Sequence, residues 1–450
     1  MVDYSPKRVE VPAGATIYPI NSAQSMLRWS EAFALERRKM KEENVIKSYM
    51  LIPEGGDVSA LERAFNKLVE DNDALREVMF RKGGKIYQFI QPYAYEKLPV
   101  VELDSGEDAF KAYLEEFSHL IIPWYNTPAY FAQIVRYDKV VALVVAMHHH
   151  CSDGYSTALM FRQINAAYDA LVAGEEMPEV KPHSVVKFFE KAGKYASTEQ
   201  HAEDRKFWLK TFHGQPHYSM PAGYRSELGK CAVVNATLDG EDYQKLTEFC
   251  KLNSCTTTSA LMSLAALTTY CVKGKTNFCI YSLTHGRSTP YLKQTFGCMM
   301  NTVPVFYDLD TTMSASEFAQ KSYMSYLEHL SHGALPMGEM VPMGYRESFK
   351  HLLNFNHGWL VFSSLELAAA ANVKDKVIAA LPFTLLSEQF YAAVMDVPGE
   401  RFELGLNYQA LRFKRATVER LVDVYMQIIR TATRHPQASL EEISRLVKQS

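Results

Sequence analysis

The chain has 450 residues, 47% hydrophobic and 22% charged. That is the balance of a soluble globular protein with room for two or three domains. A formal charge of −3 leaves no basic footprint and argues against nucleic acid as a partner. Seven cysteines form an odd set without a C-x-x-C pair, which argues against a disulfide framework or a structural zinc site and for free thiols in a reducing cytosol.

The first residues, "MVDYSPKRVEVPAG", hold no apolar core of the length a signal peptide needs. In "DVSALERAFNKLVEDND", Asp57 is an N-cap candidate, and Leu61, Ala64, Phe65 and Leu68 recur on one helical face. "KIYQFI" and "FAQIVRY" read as strands. The longest apolar run, Val140 to Met147, is far short of a membrane span and reads as a strand buried on both faces. Met160, Phe161, Ile164, Tyr168 and Leu171 then recur at helical spacing, and Gly174 is the expected stop. The stretch "GEEMPEVKP" (174–182) combines Gly, Pro and charge and is the expected domain boundary, giving lobes 1–177 and 178–450. In the second lobe "DYQKLTEFCKLN" and "TTTSALMSLAALTTYCV" read as helices. "NFCIYSLT", "TVPVFYDL", "LLNFNHGWLVFS" and "RFELGLNY" read as strands, and "TVERLVDVYMQIIRTATRHP" is a long amphipathic helix stopped by Pro436. The fold class is α/β in the mixed α+β sense, in two lobes.

The chemistry concentrates where the apolar run ends, in His148-His149-His150-Cys151-Ser152-Asp153-Gly154. Side chains alternate faces along a strand, so His149 points opposite to His148 and His150 if the strand persists that far. Asp153-Gly154 opens the next helix. Four readings fit the residues. The histidines are packing at a strand end; or His148 and His150 share a metal, without the usual ligand spacing; or Cys151 is a nucleophile beside a histidine; or an imidazole is a general base.

This stretch resembles the HHxxxDG signature of the condensation domains of nonribosomal peptide synthetases, within the chloramphenicol-acetyltransferase-like acyltransferases. Other segments resemble the family's boxes in the same order. "NSAQSMLRW" is similar to the N-terminal SxAQxRxW box. "NDALREVMF" is similar to RHExLRxxF, with Asn72-Asp73 where the family has Arg-His. "HAEDRKFWLKTF" is similar to the segment ending in an aromatic-Trp pair, and "THGRSTPYLKQTFGCMMNTVPV" to GR…GxFVNTxPx. "HGALPMGEMV", "YRESFKHLLNFN" and "LGLNYQALRF" with "VERLVDVY" resemble the boxes that follow. Met299 and Met300 replace an aromatic residue and a valine of the family's floor segment.

The resemblance implies two acyltransferase-like lobes in a V-shaped pseudo-dimer with a central tunnel. His149 is then the catalytic base and His148 structural. Asp153 is expected to form a salt bridge with Arg287 across the lobes and to carry no proton. Gly154 lies beside the thioester, and Gly297, Asn301 and Thr302 belong to the tunnel floor. Arg76 belongs to a structural ion-pair network, and Trp29, Phe207, Trp208, Leu75 and Phe80 pack the core. The implied reaction joins an acyl or aminoacyl thioester on a carrier protein to an amine, forming an amide. No metal is expected, and no cofactor is bound by the chain. The phosphopantetheine arm of a carrier domain, in cis or in trans, brings the substrate, since no carrier or adenylation motif appears in the sequence. Two alternatives stand beside this: an acyl-CoA-dependent O- or N-acyltransferase of the same superfamily, and a catalytically silent carrier-docking domain.

Overall fold

The run Val140–His148 forms a strand buried from Val141 onward, as its unbroken apolar sequence predicts. Val45–Ile52 and Tyr130–Tyr137 flank it, both antiparallel. Val377–Ala380 closes one edge of this five-stranded sheet against Val45–Ile52, and Val100–Glu102 closes the other against Tyr130–Tyr137. The structure is a computed structural model. It describes residues 2, 4–33, 41, 44–104, 106–180, 183–213, 229–340, 343, 358–365, 376–381, 385–386, 390–397 and 399–449.

Two compact units make up the chain. The first comprises Met1–Thr198, His285–Met300 and Ala369–Thr384, and the second Glu199–Thr284, Asn301–Ala368 and Leu385–Ser450. The expected division after residue 177 falls inside the first unit. The Gly/Pro stretch is followed by the helix Val186–Tyr195. Ahead of that helix, Val185 N–H donates to Asp73 Oδ1 at 2.9 Å, and on it Phe189 meets Tyr18 with ring centroids 5.7 Å apart. These ties keep 184–195 with the first unit.

In the first unit the helix Val58–Asp71 begins at Asp57, whose carboxylate accepts from Ala60 N–H at 2.9 Å, a conventional N-cap. It packs against the helix Gly154–Val172. A core of Phe110, Tyr113, Phe117, Val135, Ala142 and Val144 fills one face of the five-stranded sheet. A second sheet, of three strands, pairs Lys85–Ile90 with Glu77–Lys82 and Tyr18–Pro19.

The second unit is built on a seven-stranded sheet. Its order is Asn301–Asp308, Asn277–Thr284, Gly358–Leu365, Phe390–Val397, Arg401–Gln409, Gly229–Asp239 and Leu385–Leu386. The apolar helix Thr257–Lys273 and the amphipathic helix Arg415–Arg434 bury their apolar faces in one core. The expected helices and strands of this half are present, except that the part of "LLNFNHGWLVFS" before Gly358 and all of the "YRESFKHLLNFN" box lie outside the described residues. The side chain of Trp29 lies outside them as well.

Candidate active site

The strand Val140–His148 stops at His148, and the chain turns through His149 and His150. His148 N–H donates to Ala129 O at 2.7 Å, His149 N–H to Asn44 O at 2.6 Å, and Cys151 N–H to His148 O at 3.1 Å. The turn sends His148 and His150 inward, as strand alternation also predicts. Their rings lie 4.4 Å apart, with the Trp124 ring 4.4 Å from His148. Both are buried, whereas His149 is only half-buried.

His149 Nδ1 lies 2.7 Å from the carbonyl oxygen of Ser152. A carbonyl can only accept, so Nδ1 carries the hydrogen and Nε2 keeps its lone pair. Desolvation lowers the His149 pKa, against the opposing pull of hydrogen bonding and of Asp153. The ring is therefore neutral at pH 7 and basic at Nε2. His148 Nδ1 accepts from His150 N–H at 3.1 Å. Its pKa is pushed well down by burial and by the neighbouring histidines, so it stays neutral and structural. Among the described residues no group of three His, Cys, Asp or Glu side chains could hold a metal ion. Burial raises the Cys151 thiol well above its ordinary pKa, which leaves little thiolate for a nucleophile.

Asp153 caps the helix Gly154–Val172 through Ser156 N–H, 2.8 Å from its Oδ1. Arg287 Nη1 donates to Oδ2 at 2.8 Å and Nη2 to Oδ1 at 3.1 Å, and Met299 N–H donates to Oδ2 at 3.1 Å. Burial alone would raise the Asp153 pKa, but Arg287 and these donors outweigh it and hold the carboxyl below its usual range. Arg287, 2% exposed, also donates to the carbonyls of His285, Thr295 and Gly297 and to Ser156 Oγ. Its guanidinium lies 4.6 Å from the centroid of the Tyr155 ring. The expected ion pair is formed, with one correction. It does not cross between units, because His285–Met300 belongs to the first unit with Asp153.

Gly286, with φ +67°, makes this packing possible. A Cβ there would stand 1.9 Å from Met299 O. Gly297 has φ +147°, and a Cβ would meet Val185 Cγ2 at 2.8 Å. Gly154 is exposed at the start of the helix. Asn301 opens a strand in the second unit, where its Nδ2 donates to Gly333 O at 2.7 Å and Leu335 O at 3.0 Å. Thr302 is half-buried and pairs with Leu283. Arg76 differs from expectation. It donates to the carbonyls of Val69, Glu70 and Gln91, so it clamps backbone in place of joining carboxylates. Leu75, Phe80 and Trp208 are buried, and Phe207 is half-buried with its ring stacked on His332 at 4.1 Å.

Sequence reasoning passed over Ser156, whose hydroxyl lies between Arg287 and Gly297, accepting from Gly297 N–H at 3.0 Å. Its place three residues after the N-cap was the available signal. It also passed over Gln24, whose Nε2 donates to His150 O at 2.9 Å.

A family model described as Condensation domain matches residues 15–450. The chain is 22% identical over 450 residues to surfactin synthase subunit 1 of Bacillus subtilis (strain 168). That match covers 95% of this chain and 12% of the relative, so the chain spans about an eighth of that protein's length. Among solved structures, the condensation domain from monacolin K polyketide synthase MokA superposes with a TM-score of 0.81 at 14% identity, over 94% of this chain and 99% of that one. A mutant of the starter condensation domain of rhizomide synthetase RzmA, in complex with C8-CoA, superposes with a TM-score of 0.80 at 15% identity, over 95% and 96%. These likenesses carry the mixed α/β fold. With the family match taking in 15–450, the chain belongs to the condensation-domain family.

Proposed function

We propose that this chain is an acyltransferase that joins a carrier-bound acyl or aminoacyl thioester to an amine, as in nonribosomal peptide or lipopeptide synthesis. The observation that carries the reading is the bond from His149 Nδ1 to the Ser152 carbonyl, which leaves Nε2 free to accept a proton. His149 removes the proton of the amine as its nitrogen adds to the thioester carbonyl. The carbon–sulfur bond then breaks, and the departing thiolate takes that proton from His149. Asp153 takes no part in proton transfer, because its oxygens are already filled by Arg287 and two backbone N–H groups. Its work is to hold the loop in place. Gly154 and Gly297, both in the first unit, are the residues proposed to shape the substrate path there. The phosphopantetheine arm of a carrier domain delivers the acyl group.

The test is intact-protein mass spectrometry of an acyl-loaded carrier incubated with amines. Loss of the acyl mass should need both this protein and the amine, and should vanish in His149→Ala. A second reading, acyl-CoA as donor, draws on the RzmA neighbour solved with C8-CoA. Turnover of acyl-CoA with no transfer from any carrier would select it. Carrier binding without turnover from either donor would leave a docking domain.

A further inference from the structure

Behind the histidine turn lies a buried polar group that the proposed chemistry does not use. Glu77 opens the strand Glu77–Lys82 and is 0% exposed, and His150 is 1% exposed. Glu77 Oε2 lies 3.6 Å from His150 Nδ1. Glu77 Oε1 and His150 Nδ1 are both buried without a hydrogen-bond partner. Such groups are costly to leave unmatched, and a bare carboxylate is costlier than a neutral acid. Asp73 faces Glu77 with a like charge. The other titratable neighbours are Cys151 and Cys298, both buried thiols, the His148 ring tilted against His150, and His149, which lowers the His150 pKa further.

We infer that Glu77 and His150 share one buried proton, carried by the Glu77 carboxyl toward His150 Nδ1, and that the pair is a positioning element behind His149. At 3.6 Å the contact is not yet a hydrogen bond. A proton on Oε2 gives His150 Nδ1 the donor it lacks and draws the two together, and it leaves Oε1 a neutral carbonyl oxygen, less costly to bury than a charged one. Burial pushes Glu77 well up from its ordinary value and His150 down to about 3, so both members are neutral at pH 7.

The link to His149 runs through Gln24. Its Nε2 has two hydrogens and faces three acceptors: Gln88 Oε1 at 2.9 Å, His150 O at 2.9 Å and Glu77 Oε2 at 3.2 Å. An ionised Glu77 would compete for the hydrogen that holds the His150 carbonyl, since charged acceptors bind more strongly. A protonated Glu77 leaves that hydrogen to His150. The turn that presents His149 is then fixed on one side by Asn44 and on the other by Gln24.

The proton pair stands without the proposed role of His149, while its positioning consequence rests on that role, so the test separates the two. Infrared difference spectra of wild type minus Glu77→Gln should show the carbonyl band of a protonated carboxyl between pH 5 and 8. A carboxylate band in its place overturns the pair. Glu77→Gln keeps a neutral donor toward Nδ1. Its melting temperature should exceed that of wild type by a gap that widens by about 2 °C or more per pH unit from pH 5 to 7. A pH-independent gap also overturns the pair. For positioning, carbethoxylation of His149 followed by peptide mass spectrometry needs no substrate. Glu77→Gln should match wild type within about twofold and Glu77→Ala should differ at least about threefold. If Glu77→Ala does not fold, a changed rate in Glu77→Gln alone rejects the positioning role.

Discussion

Asp153 and Arg287 meet as a two-pronged ion pair, 2.8 and 3.1 Å, across 134 residues of chain and within one compact unit. Both side chains are buried. Removing one partner strands the other charge, which costs about 3–5 kcal/mol. Arg287→Ala should therefore lose about that much stability, measured by chemical denaturation. Arg287→Lys should recover only part of it, because a single ammonium cannot reproduce the fork.

The same pair predicts an acid limb of stability. The folded-state pKa of Asp153 is held below its unfolded value. Its contribution is then fully present above the unfolded value of about 3.9 and is lost as pH falls through the lower, folded value. Without Arg287, burial raises the Asp153 pKa. Denaturation of wild type and Arg287→Ala from pH 7 to pH 2 should therefore show their difference already shrinking above about pH 4, as the stranded acid takes up a proton. It should shrink further as wild type loses its own contribution at lower pH. A difference that stays constant from pH 7 to pH 2 would assign the effect to another group.

His149→Ala should lower acyl transfer by about 10²–10⁴-fold with little change in melting temperature. Because the His149 pKa lies below its ordinary 6.5, the fall in kcat/KM on the acid side should be centred below pH 6.5. The variant's residual activity should lack that limb. A loss under about tenfold would mean that orientation of the substrates dominates the rate.

Gly286→Ala should destabilise the first unit by about 2 kcal/mol or more, since left-handed backbone strain and a collision act together. The added Cβ would fall 1.9 Å from Met299 O, and moving Met299 would pull its N–H from Asp153. Denaturation midpoints of Gly286→Ala and wild type decide this.

Gly154→Leu should leave the melting temperature near that of wild type, because the position is exposed at a helix start. It should reduce transfer from a carrier by about tenfold or more if the thioester passes beside it. Undiminished transfer would remove Gly154 from the substrate path.

Much of this was legible in the letters. The unbroken apolar run announced a strand buried on both faces, and Asp57 and Gly174 marked helix ends that the structure keeps. The Asp153–Arg287 pair came from family resemblance, since no local pattern links residues 134 apart. What stayed hidden depends on long-range packing. Glu77 and His150 are letters usually found at the surface, and only the folded chain puts them at 0% and 1% exposure. The bond from His149 to Ser152 arises from a turn, whose geometry has no periodic signature. The four residues Val377–Ala380 are too short to read as an edge strand. The inclusion of His285–Met300 in the first unit leaves no trace in composition.

That inclusion bears on how the protein is made. A ribosome delivers the chain from its N-terminus, and domains tend to fold as units while synthesis proceeds. Here the histidine turn is complete about halfway before its arginine exists, and Asp153 waits as an unmatched acid until residue 287 has emerged. The strand Val45–Ile52 keeps a bare edge longer still, until Val377–Ala380 arrives to cover it. Unpaired strand edges invite wrong partners. From residue 52 until residue 377 the growing chain carries that edge uncovered, and a stop codon between those positions would release a fragment with the edge permanently open.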